Sequence, residues 1–408
     1  MFIINQSSNL KWEIKVSWSK NAALPILAAN YLTNQKIQLN NLPNILDVQS
    51  LKETRKRASE NSKNYFDLTS PETTKIRASI LLIPVGLLKY WEVHFCKPGW
   101  CNIWKRPLDA FDDAFIQAGV WVENNWYKIY KKINKPNRRI ILQEFSVTTT
   151  EALLTYLAFL KNVDYEIKVY NIAIEPHVIN LIKFLKGLWA QIKLHHNHSV
   201  TIQPTKINPQ IEKFNIIWDY IEAWTFLGLG AIADNSKIVI KWCDIEDLIS
   251  VFKVADKIGI NIKILNNETF EVNSKNKKNY KAIKLQTMIF PGFPTDLQSI
   301  FGTILTQANG VSKIYETLFE GRFWYLTELE NMGAKIEILN PHQALIIWPT
   351  KLKGSYVTTK DLRWWGALLL AGTIAEGKTY IMNEKIILRW YENIVEKLKS
   401  IGVKIEKK

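Results

Sequence analysis

Apolar positions follow two spacings along this chain. Runs such as Glu151–Leu160 and Ala367–Ala375 place apolar residues at the helical period, and second helical runs follow at Ile179–Lys186 and Tyr391–Ser400. Between them lie short strand-like stretches such as "SKIVI" at Ser236–Ile240 and "KTYIM" at Lys378–Met382. One phrase recurs: a helical pattern, a small residue, then an alternating run. It reads "IQAGVWVE" around Gly119, "LKGLWAQIKL" around Trp189, "ADKIGINIKI" around Gly259, "ENMGAKIEI" around Gly333 and "KSIGVKIEK" around Gly402, at intervals of 70, 70, 74 and 69 residues. The pattern predicts a repeated βαβαβ unit of about 70 residues with a helix-to-strand turn at the small residue.

Glycine suits that turn because the residue after the last helical turn is usually left-handed. The second copy puts Trp189 there, where an L-residue costs about 1–2 kcal/mol. Between Leu51 and Asp67 the phrase erodes to "KETRKRASENSKN", so the first repeat is expected to be atypical.

A chain of 408 residues exceeds one ordinary core, which agrees with two domains built from repeats. Lys plus Arg number 53 against 38 Asp plus Glu, a net charge of +15 that favours an anionic partner. The bases are scattered, with no arm or long block, which argues against nucleic acid as that partner. Three cysteines, Cys96, Cys101 and Cys243, form no CxxC pair and fit a reducing compartment. No charged and apolar leader opens the chain, and the longest apolar stretch, Ala78–Leu88, is too short to span a bilayer. The expected address is cytoplasmic. His195, His196 and His198 lack a carboxylate or Cys partner at ligand spacing, so no metal is expected. Neither a Walker nor a Rossmann glycine signature is present.

Several motifs carry chemistry. "VSWSKNAALPILAANYLTNQKIQLNNLPNILDV" (Val16–Val48) follows the strand-like "LKWEIKV", and "KIRASI" (Lys75–Ile80) and "PGWCNIWKRPLD" (Pro98–Asp109) come after it. "DYIEAWTF" (Asp219–Phe226), "FPTDLQS" (Phe293–Ser299), "FEGRF" (Phe319–Phe323), "DLRWWGALLLAG" (Asp361–Gly372) and "RWYENI" (Arg389–Ile394) complete the series. In this order and over nearly the whole chain they resemble the UDP-N-acetylglucosamine enolpyruvyl transferase (1-carboxyvinyltransferase) family, whose loop pattern is Pro-Gly-Gly-Cys-x-Ile-Gly-x-Arg-Pro-x-Asp.

The resemblance implies an α/β fold: a two-domain inside-out α/β barrel of the enolpyruvyl transferase type with six βαβαβ-like repeats. Residues 18–215 would form the domain with the cysteine loop, residues 1–17 plus 216–408 the second, and the cleft between them the active site. The implied substrates are phosphoenolpyruvate and UDP-N-acetylglucosamine. No metal, organic cofactor, nucleic acid or membrane is implied, and a monomer is expected. The reaction needs protonation of an alkene carbon, deprotonation of a hydroxyl, and cations around a phosphate and a carboxylate. By resemblance Cys101 is the loop acid, able also to form an adduct with phosphoenolpyruvate, and Asp296 is the base. Lys20 and Arg389 join these two as the catalytic set. Lys20, Asn21, Arg106, Arg363 and Arg389 would hold phosphoenolpyruvate. Asn21, Arg77, Arg106, Pro107, Leu108, Asp109, Ala110, Ser146, Val147, Asp296, Leu318 and Arg322 would line the UDP-sugar. The rival readings are a shikimate-3-phosphate enolpyruvyl transferase and a non-catalytic anion-binding relative of the same fold.

The chain departs from the family pattern in two ways. Glu144 stands for a Lys, Thr148 for a Gly, Tyr220 for an Arg, Gly321 for an Asn and Leu388 for an acid. More often the departure is a tryptophan: Trp12, Trp18, Trp100, Trp104, Trp126, Trp189, Trp224, Trp242, Trp348 and Trp390 stand where the family has Gly, and Trp91 and Trp365 fall at further such positions. The chain has 16 Trp and only 17 Gly, about 4% Gly against the usual 7% or so. These tryptophans read as a translation artefact, a codon decoded as Gly by the host and written as Trp. Restoring all sixteen brings Gly to about 8%. Aromatic surfaces that stack sugars or bases would not explain why the indoles follow glycine slots.

Overall fold

The computed structural model describes residues 1–62, 64–96, 108–359 and 361–408. Each recurring phrase is a helix that ends on the small residue and turns into a strand. Helix Ile249–Ile258 stops at Gly259 (φ 94°) before strand Asn261–Asn266, and helix Trp324–Asn331 is followed by Gly333 (φ 97°) and strand Ile336–Asn340. At the ends of helices Ile249–Ile258, Trp324–Asn331 and Ile394–Ser400 the next N–H returns to a carbonyl five residues back: Ile260 to Ala255, Ala334 to Leu329 and Val403 to Leu398. This closure uses the carbonyls that a helix end leaves over, and it requires the left-handed residue in the middle. Helix Pro176–Gly187 closes the same way, Ala190 to Leu185, around Trp189 at φ 80°.

The strand after each turn folds back on another, so each repeat has one strand more than the apolar pattern announces. Strands Val120–Asn124 and Lys128–Lys132 pair antiparallel, as do Gln191–His195 with Ser199–Gln203, Asn261–Asn266 with Thr269–Asn273, and Ile336–Asn340 with Gln343–Ile347. The inner member of each hairpin pairs with a strand that has a parallel neighbour on its far side, giving orders such as Lys284–Gln286, Val311–Tyr315, Gln343–Ile347, Ile336–Asn340. Among the described residues there are five such four-stranded sheets. In the last one the N-terminal strand Phe2–Asn5 takes the hairpin position, with Ile4 opposite Ile405. The first repeat is the exception. Its helix Leu46–Asn61 runs on through the eroded phrase, and strand Gln38–Asn40 pairs only with Lys213–Asn215.

The chain divides into two compact units, residues 1–17 with 218–408 and residues 18–96 with 108–217. In the first unit, helices Tyr220–Ile232 and Gln298–Leu305 are buried at every residue and pack with Leu362–Ile374. Apolar surface all round such a helix requires an interior position. The approach is close: a Cβ on Gly228 would lie 2.4 Å from Leu370. In the second unit the corresponding helices are Lys20–Asn30, Ile83–Tyr90 and Val147–Ala158.

Four of these inner helices begin on a side-chain cap. Ser19, Ser146, Asp219 and Asp361 accept from the N–H groups of Ala22, Thr149, Ile221 and Arg363. Such a cap satisfies a donor that the helix start leaves over. Asp219 is buried and also receives Trp390 Nε1–H at 3.0 Å. Burial pushes its carboxyl up to about 6, helped by the Glu222 charge, while the backbone donors and Trp390 oppose the shift.

Five tryptophans have left-handed backbone: Trp12 (φ 90°), Trp91 (70°), Trp189 (80°), Trp242 (67°) and Trp348 (56°). All other non-glycine residues with positive φ, among those described, are Asn apart from His198. Asn tolerates this region; a bulky side chain is strained there by about 1–2 kcal/mol. Burial does not offset the strain, because these five side chains are 36–74% exposed.

The raised Asp219 value has a consequence for stability. A folded-state value of about 6 lies above the unfolded one, so this group stabilises the fold at low pH and that contribution is lost as pH rises through 6. Asp219→Asn keeps the cap and removes the titration. Relative to the parent it should gain up to about 3 kcal/mol between pH 4 and pH 7 in urea unfolding. A variant-to-parent difference that stays flat over this range would contradict the assignment.

Candidate active site

The helix starts of both units carry the residues that the sequence singles out. In residues 18–217, Lys20 opens helix Lys20–Asn30 and is buried in an ion pair with Asp47 at 2.9 Å. Asn21 follows it, half-buried. Arg77 begins the 3-10 turn Arg77–Leu82 that leads into helix Ile83–Tyr90, and Ser146 caps the helix that Val147 opens. Leu108 is buried, Asp109 begins helix Asp109–Gln117 and is exposed, and Ala110 is half-buried. Cys101, Arg106 and Pro107 lie outside the described residues. Helix N-termini bear partial positive charge, and Lys and Arg placed on them suit phosphate and carboxylate ligands.

In the other unit the structure brings Asp296, Arg322 and Arg363 together. Asp296 lies in the 3-10 turn Thr295–Leu297 before helix Gln298–Leu305. Arg322 Nη1 donates to Asp296 Oδ1 at 2.8 Å and Arg363 Nε to the same oxygen at 2.5 Å. No hydrogen bond to Asp296 Oδ2 is made among the described residues. Arg363 is the second residue of helix Leu362–Ile374 and also binds Asp361 at 3.2 Å through Nη1. Burial by itself would raise the Asp296 carboxyl, but the charges of Arg363 and Arg322 and their hydrogen bonds outweigh it and hold the group well below the usual carboxylate range. The result is an ionised carboxylate with one oxygen held by two cations.

Arg389, also in this unit, ends the 3-10 turn Glu384–Arg389 and is half-buried, and Leu318 is partly exposed. Gly321 takes φ 72°, which explains the exchange with Asn at that position, since these two residues share tolerance of left-handed backbone. Tyr220 is buried at the start of its helix and Glu144 is exposed. The histidines bind locally: His195 Nε2 lies 2.9 Å from Thr201 Oγ1 and His198 Nδ1 3.1 Å from the Ile172 carbonyl. Among the described residues no cluster of three His, Cys, Asp or Glu could hold a metal, and no helix is long and apolar enough to cross a membrane.

Three groups escaped the reading of the sequence. Asp47 holds Lys20, and its signal was present in "NILDV" at the end of the matched motif. Glu222, buried, binds Lys397 Nζ at 2.8 Å and the Ser17 N–H. Glu316, buried, accepts from Thr287, Thr295, Leu318 and Phe319. Their partners are 21 to 205 residues away or within one loop, and no local spacing marks them.

The profile of the family described as EPSP synthase (3-phosphoshikimate 1-carboxyvinyltransferase) matches residues 4–398. The UDP-N-acetylglucosamine 1-carboxyvinyltransferase of Halothermothrix orenii is 34% identical over 420 residues, covering 100% of this chain and 99% of that one. The enzyme of the same name from Wolbachia of Brugia malayi is 32% identical over 416 residues, 96% of each chain. In structure, the enolpyruvyl transferase NikO from Streptomyces tendae superposes with a TM-score of 0.87 at 18% identity, covering 99% of this chain and 98% of that one. EPSP synthase from Acinetobacter baumannii gives 0.73 at 14% identity, covering 100% and 99%. A match that runs from one end of the chain to the other, in sequence and in fold, means that this chain belongs to the EPSP synthase family of enolpyruvyl transferases.

Proposed function

We propose that the chain transfers the enolpyruvyl group of phosphoenolpyruvate to the 3-hydroxyl of UDP-N-acetylglucosamine and releases phosphate. The observation that carries this reading is the full-length identity of 31–34% to carboxyvinyltransferases that act, by name, on UDP-N-acetylglucosamine. The "PGWCNIWKRPLD" loop favours the same acceptor over shikimate 3-phosphate.

The sugar oxygen attacks C2 of phosphoenolpyruvate as its proton leaves and C3 gains one. Phosphate then departs from the tetrahedral carbon and C3 gives its proton back, so atoms and charge balance. Asp296, held ionised by the two arginines, takes the hydroxyl proton. Cys101 supplies the proton at C3. Lys20, Asn21, Arg106, Arg363 and Arg389 hold the phosphate and carboxylate, where preorganised cations favour the charged intermediate. Arg77, Leu108, Asp109, Ala110, Ser146, Val147, Leu318 and Arg322, with Arg106 and Pro107, line the UDP-sugar. The protein works as a cytoplasmic monomer without metal or organic cofactor. Its product feeds peptidoglycan synthesis, and through it cell shape and division.

Phosphate release tests the assignment. In protein carrying glycine at the sixteen tryptophan positions, phosphoenolpyruvate with UDP-N-acetylglucosamine should release phosphate, and shikimate 3-phosphate in its place should not. Asp296→Asn should lower kcat by about 10²–10⁴-fold, and Cys101→Ala should lower turnover and abolish any covalent adduct with phosphoenolpyruvate. Turnover of shikimate 3-phosphate in preference would move the chain to the sister activity. No release with either acceptor would leave only an anion-binding protein.

A further inference from the structure

We infer that the protein made in its own host carries glycine at the sixteen positions written as tryptophan, through one codon that the host decodes as glycine. Three independent features of the structure point there. The first is backbone. Gly119, Gly259, Gly333 and Gly402 fill the turn after the second helix of their repeats with φ of 83–97°, and Trp189 fills it with 80°. The turn after the first helix is Gly310 (107°) before strand Val311–Tyr315 and Gly377 (91°) before Lys378–Met382. In a third repeat that slot is Trp91 (70°) before Glu92–Phe95.

The second feature is exposure. Trp12, Trp91, Trp121, Trp126, Trp189, Trp242, Trp324 and Trp348 are all at least 36% exposed, and Trp126 is fully so. Tryptophan is highly buried on average, so exposure of half of the sixteen runs against its usual placement. Most of these belong to separate turns and hairpins. Third, two of the buried indoles are poorly served: Trp224 and Trp365 have N–H groups without a hydrogen-bond partner among the described residues, although Trp390 donates to Asp219. With glycine restored, the cysteine loop reads Pro-Gly-Gly-Cys-Asn-Ile-Gly-Lys-Arg-Pro, the family pattern at every glycine.

Intact mass of the protein isolated from its host decides the matter. The expected value is lower than that of the written sequence by sixteen tryptophan-to-glycine differences; a mass equal to the written sequence would overturn the inference. Recombinant variants give a second reading. Trp189→Gly and Trp348→Gly should each raise the unfolding temperature by about 2–4 °C over the corresponding Ala variants, because Ala retains the left-handed strain. Trp121→Gly, inside strand Val120–Asn124, should show no such gain over Ala. Equal stability of Gly and Ala at positions 189 and 348 would also count against glycine there.

A second inference rests on a different network and on the function proposed above. The geometry points to Glu316 as a positioning residue for the reaction. It follows strand Val311–Tyr315 and is fully buried, yet no cation binds its carboxylate among the described residues. Oε2 accepts from the Thr295 hydroxyl at 2.7 Å. Oε1 accepts from Thr287 Oγ1 at 3.1 Å and from the Leu318 and Phe319 N–H groups at 3.0 and 3.2 Å. One carboxylate thus ties the residue before Asp296 to the loop that carries Leu318 and leads to Arg322. Its backbone is fixed in turn, since the Glu316 N–H donates to the His342 carbonyl and its carbonyl lies 2.7 Å from His342 Nδ1. Without it the Asp296 to Arg322 pairing loses its common anchor.

Steady-state kinetics of Glu316→Ala and Glu316→Gln separate positioning from mere folding. Ala should lower kcat about tenfold or more while KM for phosphoenolpyruvate moves less than about threefold, and Gln, which keeps an acceptor, should recover most of kcat. Unchanged kcat in the Ala variant overturns the role. So does a Gln variant no better than Ala with both losing activity in step with folded fraction. A parent protein that turns over neither acceptor defeats the proposed function and this role with it, whereas an active parent with indifferent variants defeats only the role.

Discussion

Each repeat of this fold depends on one backbone constraint: the chain must leave a helix and enter a sheet within two or three residues. The left-handed residue makes that possible, because it lets the next N–H reach back five positions and close the helix end. The strand that follows is then delivered at a fixed angle to form a hairpin, and the hairpin supplies the outer sheet against which the repeat packs. Gly259, Gly333 and Gly402 do this without strain. Where the constraint is missing, in the first repeat, the helix Leu46–Asn61 runs on and no four-stranded sheet forms around it. The tryptophans in equivalent turns therefore bear on the architecture as a whole.

The same architecture sets out the chemistry. Every repeat begins its inner helix with a capped or 3-10 start, and the charged residues sit on these starts: Lys20, Arg77, Asp296 and Arg363. Charged groups on the inner helices lie mostly at their starts, where water or ligands complete the hydrogen bonding, though Glu151 is buried in the second turn of helix Val147–Ala158. They gather at the starts because burial penalises an unpaired charge deeper in the unit.

How much of this was legible in the sequence follows from the same division. The turn phrases and the matched motifs are local, so the repeats, the fold class and positions such as Asp296 and Arg363 could be read directly. The second strand of each hairpin was not, since a strand such as Gln343–Ile347 differs little in apolar spacing from the run before it. The use of Phe2–Asn5 to finish the last repeat was also hidden, because pairing partners 377 or so residues apart leave no local trace. Asp47, Glu222 and Glu316 escaped for a related reason: a buried carboxylate announces itself only through the donors around it.

The arginines around Asp296 impose opposite demands on one carboxylate. They keep it ionised, which a base requires, but a group held so far below its usual range is a weak base. The conflict eases when an anion arrives. A phosphate or carboxylate that pairs with Arg322 or Arg363 neutralises part of the positive field and draws hydrogen bonds away from Oδ1, and both changes raise the affinity of the carboxyl for a proton. For the base role proposed at Asp296, basicity would therefore be coupled to anion occupancy, because the cations proposed to meet the ligand are the ones bonded to this carboxylate.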